Sequence, residues 1–447
     1  MTAELKQTAA TGTPDSSWQP YPAYKDSGVE WLGEMPEHWE ILKLKYTDRV
    51  IMGQSPSSED YNDTHSGLPF LQGNAEFGKI NPNPKIWCET ANKTASGGDV
   101  LVSVRAPIGA VNMADQEYGI GRGLCAIRPI KSNNKYLYYF FISLNDELNS
   151  IGTGSTYTAI SVDEVENIKI PYAELPEQRS IAIYLDDRTQ KIDSLIEKKQ
   201  KLIELLKEER AAVINYAVTK GLNPDAPMKD SGIEWLGEVP EKWEVKRLKW
   251  ISYINPVKSN SQFDKNSEDL ATFLPMEKVS EDGKIDTEIK KQIKDLWNGF
   301  TYFEENDIIV AKITPCFENG KGALIKNLGS KVGFGSTEFH VLRSKENIIK
   351  ELLYYLTKSD IFMKLGEASM TGAAGQKRVT NSFLEDFYFC YSKDIGEQNE
   401  IVRFIESETT RIDSAVSRIE KELVLLQEYH TALISEVVTG KIDVRGE

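Results

Sequence analysis

The chain has 447 residues, 40% of them apolar and 27% charged, a balance suited to folded soluble domains rather than to a disordered chain. Its length exceeds what one core usually serves, so two or more domains are expected. A formal net charge of −15 argues against bulk electrostatic attraction to nucleic acid, leaving only local basic faces for such a role.

The start, MTAELKQTAATGTPDSS, lacks a basic stretch followed by an apolar core, and no later segment offers the run of about 18 apolar residues that a membrane span needs. A cytoplasmic protein is therefore expected. Cys88, Cys125, Cys316 and Cys390 are too scattered for a metal or disulfide cluster and read as buried thiols. Residues 1–22 read as a flexible arm rich in Thr, Ala, Ser and Pro.

Residues 24–46 read YKDSGVEWLGEMPEHWEILKLKY, and residues 228–250 read MKDSGIEWLGEVPEKWEVKRLKW. So long a period implies two whole domains of similar fold rather than a solenoid. In each copy the segment opens a module. Leu42, Leu44 and Tyr46 alternate with Lys43 and Lys45 as in a strand, and Trp31 and Trp39 read as core anchors.

Residues 47–135 are short apolar runs broken by Gly, Asn and Pro, the pattern of a small twisted β domain with long loops. LPFLQGNAEFGKI (68–80) places Gln72, Asn74 and Glu76 between short apolar runs. GGDVLVSVRAPIGAVNM (97–113) reads as a turn, a strand over Val100–Val104 and a Pro-Gly loop carrying Arg105, and Arg122 precedes a further strand. YLYYFFISLNDELN reads as one buried helix. A Gly/Ser/Thr loop with Ser155, Thr156 and Tyr157 follows, then a turn capped by Ser161 and a strand ending at Pro171.

From Glu177 to Gly221 there is neither Gly nor Pro, and Leu185, Ile192, Lys199, Leu206 and Val213 recur at intervals of seven. Eight acidic and eight basic residues between 177 and 210 suit a solvated helix with one packing face. In the second half NDIIVAKITPCFENGKGALI (306–325) takes the place of the 97–113 segment, while the intervening residues diverge. Six Lys or Arg against two acids over 310–345 suggest a local positive face from Lys312, Lys321, Lys326 and Arg343. Residues 348–365 read as one helix, and TGAAGQKRVTNSF (371–383) sets Gln376, Lys377 and Arg378 on a loop. The last helix, 397–438, carries Ile405, Ile412, Ile419, Leu426 and Leu433 in the phase of the first. Antiparallel pairing of the two would bury both stripes and hold the two modules apart.

No P-loop, HExxH, GxSxG or CxxC motif is present, and Asp307 with Lys312 only loosely suggests a nuclease centre. The duplicated WLGExPExWE motif (31–40, 235–244), GDVLVS (98–103) with NDIIVA (306–311), and the IS…IKIP…LPEQ run (160–178) with its eroded copy ending in Glu397-Gln398 resemble the specificity subunit of type I restriction-modification systems. That resemblance implies an α+β protein of two mainly-β target recognition domains, each followed by a long helix, the helices pairing as an antiparallel coiled coil.

On this reading the divisions are an arm (1–22), recognition domain 1 (23–176), spacer helix 1 (177–220), recognition domain 2 (221–396), and spacer helix 2 with a tail (397–447). The resemblance further implies a noncatalytic role in host defence, each recognition domain reading half of a bipartite double-stranded DNA target. Two modification (methyltransferase) subunits and restriction (helicase-nuclease) subunits would be partners, with S-adenosylmethionine, ATP and Mg on those partners and no cofactor in this chain. DNA contacts are expected from Gln72, Asn74, Arg105, Arg122 and Thr156, and from Lys312, Lys321, Gln376, Lys377 and Arg378. A protein-interaction scaffold with two adaptor domains and no DNA readout is the alternative, favoured mildly by the acidic total.

Overall fold

A computed structural model describes residues 19–152, 159–260, 264–373 and 375–446. The chain forms two compact units, one from residues up to Lys199 together with Lys421 onward, the other from Gln200–Glu420. Two long helices, α1 (Leu175–Lys220) and α2 (Ile395–Val438), contribute one end each to either unit. At 1.5 Å per residue α1 is about 69 Å long. Among the described residues no helix is long and apolar enough to cross a membrane.

Each unit opens with the repeated motif as a hairpin, Tyr24–Asp26 against Glu34–Pro36 and Met228–Asp230 against Glu238–Pro240. Trp39 and Trp243 are buried in the respective cores, the structural role their apolar neighbours suggest. The strand expected through Tyr46 stops at Lys43. Glu40–Lys43 pairs with Lys169–Tyr172, and Glu244–Arg247 pairs with Tyr388–Tyr391. One helical turn follows each, Leu44–Thr47 and Leu248–Ile251. Three-residue spacing, not alternation, governs here, because Leu44 with Thr47 and Leu248 with Ile251 turn inward together. Tyr46 and Trp250 are thereby left outside.

Both units then build the same pair of sheets. In the first, an antiparallel sheet runs Val111–Met113, Val100–Ser103, Leu124–Arg128, Arg49–Met52. A second sheet contains a parallel pairing of Leu68–Leu71 with Tyr118–Ile120. The other unit matches this with Gly322–Leu324, Ile308–Ala311, Phe339–Ser344 and Ser252–Ile254, and with Leu270–Leu274 parallel to Val332–Gly335. Val100–Ser103 and Ile308–Ala311 are buried throughout, as central strands covered on both faces must be.

The single helix expected after Tyr136 is two, Asn134–Ser143 and Asn145–Gly152. Its counterpart is likewise divided, into Lys350–Thr357 and Asp360–Ala368. The breaks fall at Leu144, whose N–H bonds back to Phe141, and at Lys358-Ser359, so apolar content alone overstated the helix length. The Ser161 cap is present: Ser161 Oγ accepts from Glu164 N and the Glu164 carboxylate accepts from Ser161 N, 2.7 Å.

The helices pack against each other in antiparallel sense within each unit. In the first, Asp193 faces His430 and Lys199 pairs with Glu422. In the second, Glu209 meets Arg411 at 2.7 Å and Arg210 meets Asp413 at 2.9 Å. Leu185, Ile192, Ile405, Ile412, Ile419 and Leu433 are buried; Leu206, Val213 and Leu426 are only half-buried. A straight helix drifts ~20° per heptad, roughly 80° over the four heptads from Leu185 to Val213, which nearly equals one residue. Ile214, Ala217 and Val218 accordingly take the buried positions near the end of α1.

Gly221 (φ +76°) and Gly440 (φ +74°) follow the C-terminal ends of the helices in the left-handed region. A Cβ on Gly440 would stand 2.4 Å from the Pro36 ring and 3.0 Å from Trp39, and one on Gly221 3.2 Å from Trp243. Each helix thus ends on the tryptophan of a repeated entry motif.

Candidate nucleic-acid interface

Four residues singled out from the sequence, Gln72, Asn74, Arg105 and Arg122, meet in one open cleft of about 640 Å³ in the first unit. They come from three strand ends. Gln72 follows Leu68–Leu71, and Asn74 begins a short turn, Asn74–Glu76, closed by Gly73 N donating to Glu76 Oε2 at 3.3 Å. Arg105 follows Val100–Ser103, where Ser103 Oγ donates to the carbonyls of Arg105 (2.8 Å) and Pro107 (2.7 Å). Arg122 lies in the turn between two sheets, its N–H donating to Ser55 Oγ at 3.2 Å. At Gly123 a Cβ would come within 2.6 Å of the Gln72 carbonyl, so this close approach requires glycine.

Arg105 and Arg122 are exposed, and among the described residues no carboxylate pairs with either guanidinium. Forked donors and side-chain amides in one concave site can recognise guanine, adenine or phosphate oxygens. Ser55, Tyr61 and Glu76 complete the wall. Glu76 stands with Gln72 and Asn74 in the sequence, whereas Ser55 and Tyr61 were not legible there because nothing local marks their approach. Thr156 lies outside the described residues.

The second unit departs from this pattern. Arg378 is held by Glu338 through two bonds of 2.9 Å, and its backbone pairs with Thr371 and Ile313. Arg343 forks onto buried Asp307 at 2.7 and 2.8 Å and reaches Glu304 at 3.2 Å. It is thus part of an internal ion pair rather than of the positive face expected from its sequence neighbours. The same pair occurs in the first unit, where Arg128 forks onto buried Asp99. Burial pushes the Asp307 carboxyl up while Arg343 opposes that, so Asp307 is engaged by an arginine and not by Lys312 as a nuclease-like pair would need.

Lys312 instead lines a cleft of about 270 Å³ with Asn255, Lys258, Tyr302 and Asn381, residues the sequence did not single out. Asn255 Nδ2 donates to Asn381 Oδ1 at 3.0 Å across 126 positions, a convergence only folding creates. Lys321 lines a different cleft and donates to the Met276 carbonyl. Gln376 and Lys377 are exposed beside Thr314, whose Oγ1 accepts from Lys377 N at 3.1 Å. The structure therefore does not gather the five residues of the second set into one cleft.

His340, buried behind this wall, bonds Val379 O through Nε2 (3.0 Å) and faces the Asn255 amide through Nδ1 (3.3 Å). Burial lowers its pKa from 6.5 to about 4. Between those values the unfolded chain binds the extra proton, so stability is full above pH 6.5 and is lost as pH falls toward 4. Acidification from pH 7 to 5 should remove about 2 kcal/mol from the second unit. Parallel melts of wild type and His340→Gln at the two pH values check this, the pH-dependent difference shrinking in the variant.

Residues 36–205 and 240–423 each match the family described as type I restriction modification DNA specificity domain. The chain belongs to that family and carries its domain twice. A Methanocaldococcus jannaschii protein assigned as the MjaX type I restriction enzyme specificity subunit is 40% identical over 193 residues, 42% of this chain and 44% of that one. The Escherichia coli type I restriction enzyme EcoAI specificity subunit is 34% identical over 245 residues, 54% and 40% respectively. The aligned parts span less than half the length of these two relatives. The M. jannaschii MjaVIII specificity subunit aligns over 92% of this chain and 94% of its own at 24% identity.

Among solved structures, one titled for complex assembly and conformational transition of the type I R-M system covers 90% of this chain and 98% of its own, at a TM-score of 0.67 and 14% identity. The HsdS subunit from Thermoanaerobacter tengcongensis covers 91% and 98%, at 0.54 and 15%. These two share the fold.

Proposed function

We propose that the chain is the noncatalytic DNA-specificity subunit of a type I restriction-modification complex, each of its two recognition domains reading one half of a bipartite duplex target. The observation that carries this is the first unit's cleft, where Gln72, Asn74, Arg105 and Arg122 present base-reading groups and no carboxylate of the described residues pairs with either guanidinium. The second domain reads through Lys312, Asn255 and Asn381, with Gln376 and Lys377 exposed on a loop, while Lys321 faces another cleft and Arg378 is held by Glu338. A different half-site follows, because the two clefts share framework and not chemistry. Two modification subunits and the restriction subunits assemble on the chain in the cytoplasm and bring S-adenosylmethionine, ATP and Mg. The local cationic cleft favours this reading over an adaptor scaffold without DNA readout.

The test is selection of bound sequences from random duplexes by the chain assembled with modification subunits. Arg105→Ala with Arg122→Ala should weaken specific binding by at least roughly 30-fold, since each good bidentate base contact discriminates by about 1–3 kcal/mol and two are removed, and should relax one half-site while the other stays intact. Absence of any sequence preference in the wild-type assembly overturns the proposal.

A further inference from the structure

Tyr46 and Trp250 occupy the same place in the two repeats and are 61% and 64% exposed. Each sits on a one-turn helix directly after the strand that carries the entry motif; Lys45 Nζ stands 5.6 Å from the Tyr46 ring centroid, and Lys246 and Arg247 line one cleft with Trp250. Lys43 and Lys45 donate to Asn167 Oδ1 at 3.0 and 3.1 Å. Arg247 and Lys249 converge in the same way on Asp386 at 3.1 and 3.2 Å, and Arg247 also bonds the Tyr388 hydroxyl at 2.8 Å. In the second unit Val245, Lys246, Arg247, Trp250 and Tyr388 enclose a cleft of about 500 Å³. Framework packing does not account for the aromatics, because Leu44, Thr47, Leu248 and Ile251 already fill the buried side of each turn.

We propose that these two patches are docking surfaces for the same protein partner, one copy on each repeat, and that the partner offers an acidic surface bearing an apolar side chain. An exposed aromatic framed by Lys and Arg is the composition of an interface anchor. The repetition assigns the patch to a partner common to both repeats rather than to the bases, which the divergent clefts address. The patches also stand away from the clefts: Tyr46 precedes the strand Arg49–Met52 and cleft residue Ser55 follows it, while Trp250 precedes Ser252–Ile254 and Asn255 follows it.

The inference rests on the reading of the chain as a specificity subunit insofar as the modification subunit is taken as the partner. The chain is co-expressed with the modification subunit from the same genome, and the complex is weighed by native mass spectrometry for wild type, Tyr46→Ala, Trp250→Ala and the double variant. Two bound copies are expected for wild type, loss of one in each single variant and of both in the double, with melting temperatures of the chain unchanged. Two copies retained by the double variant overturn the docking surface and leave the specificity reading intact. No copy bound to wild type overturns both. Weaker DNA binding at unchanged stoichiometry assigns the patches to DNA, and self-association of wild type that the variants abolish assigns them to a second copy of the chain; either result overturns the proposal.

Discussion

Ile412→Asp should open the paired helices of the second unit and cost about 4 kcal/mol, a large part of the stability of an ordinary domain. Ile412 is wholly buried, directly between Arg411 and Asp413, whose contacts with Glu209 and Arg210 fix the helix register. A carboxylate placed there must either lose its hydration or separate the helices. Val424→Asp on the same helix, 54% exposed, should change stability by no more than about 0.5 kcal/mol. Urea unfolding of both variants decides the matter. Equal midpoints would show that the stripe does not bury Ile412.

Gln398→Leu should cost roughly 2–4 kcal/mol, although it replaces a polar residue by an apolar one of similar size in a buried place. Gln398 accepts from Ile349 N at 2.9 Å and donates to the carbonyls of Asn347 (3.0 Å) and Ser392 (2.7 Å). It therefore ties the start of α2 both to the chain entering the helix Lys350–Thr357 and to the end of the strand before α2. Gln178 makes the same link in the first unit, accepting from Asn133 N at 2.8 Å and donating to Ala173 O at 2.8 Å. Leucine leaves these backbone groups unpaired, and the loss is the desolvation of the groups left behind. Thermal melts of Gln178→Leu and Gln398→Leu should show comparable drops. A drop confined to one variant would mean that the two joints differ in strength.

These joints explain why Glu-Gln is the part of the motif still readable before α2. The glutamate neighbours hold the entry segment: Glu397 accepts from Trp243 Nε1 at 3.0 Å, and Glu177 pairs with His38 at 2.9 Å. Each dipeptide thus fastens two remote segments to the base of a helix. The surrounding residues need only continue a strand, which many sequences do.

The repeat, the heptad stripes and the order of strands were legible because each is a local pattern with a fixed period. The first cleft was partly legible for a related reason, since Gln72, Asn74 and Arg105 follow short apolar runs, Arg122 precedes one, and strand ends share an edge. Arg343 and Arg378 were not: their charges are taken up by Asp307 and Glu338, 36 and 40 positions away. Nor was the second cleft, whose Asn255 and Asn381 meet only because a strand end and a distant helix start do.

By itself, then, the sequence determined two copies of one module and two amphipathic helices in matching phase, since periodicity and repetition are properties of the chain read in order. Only the tertiary structure decided which charges remain available to a partner. A guanidinium's role depends on whether a carboxylate from another strand reaches it, and the drift between 3.5 and 3.6 residues per turn decides whether Val213 or Ile214 faces the paired helix.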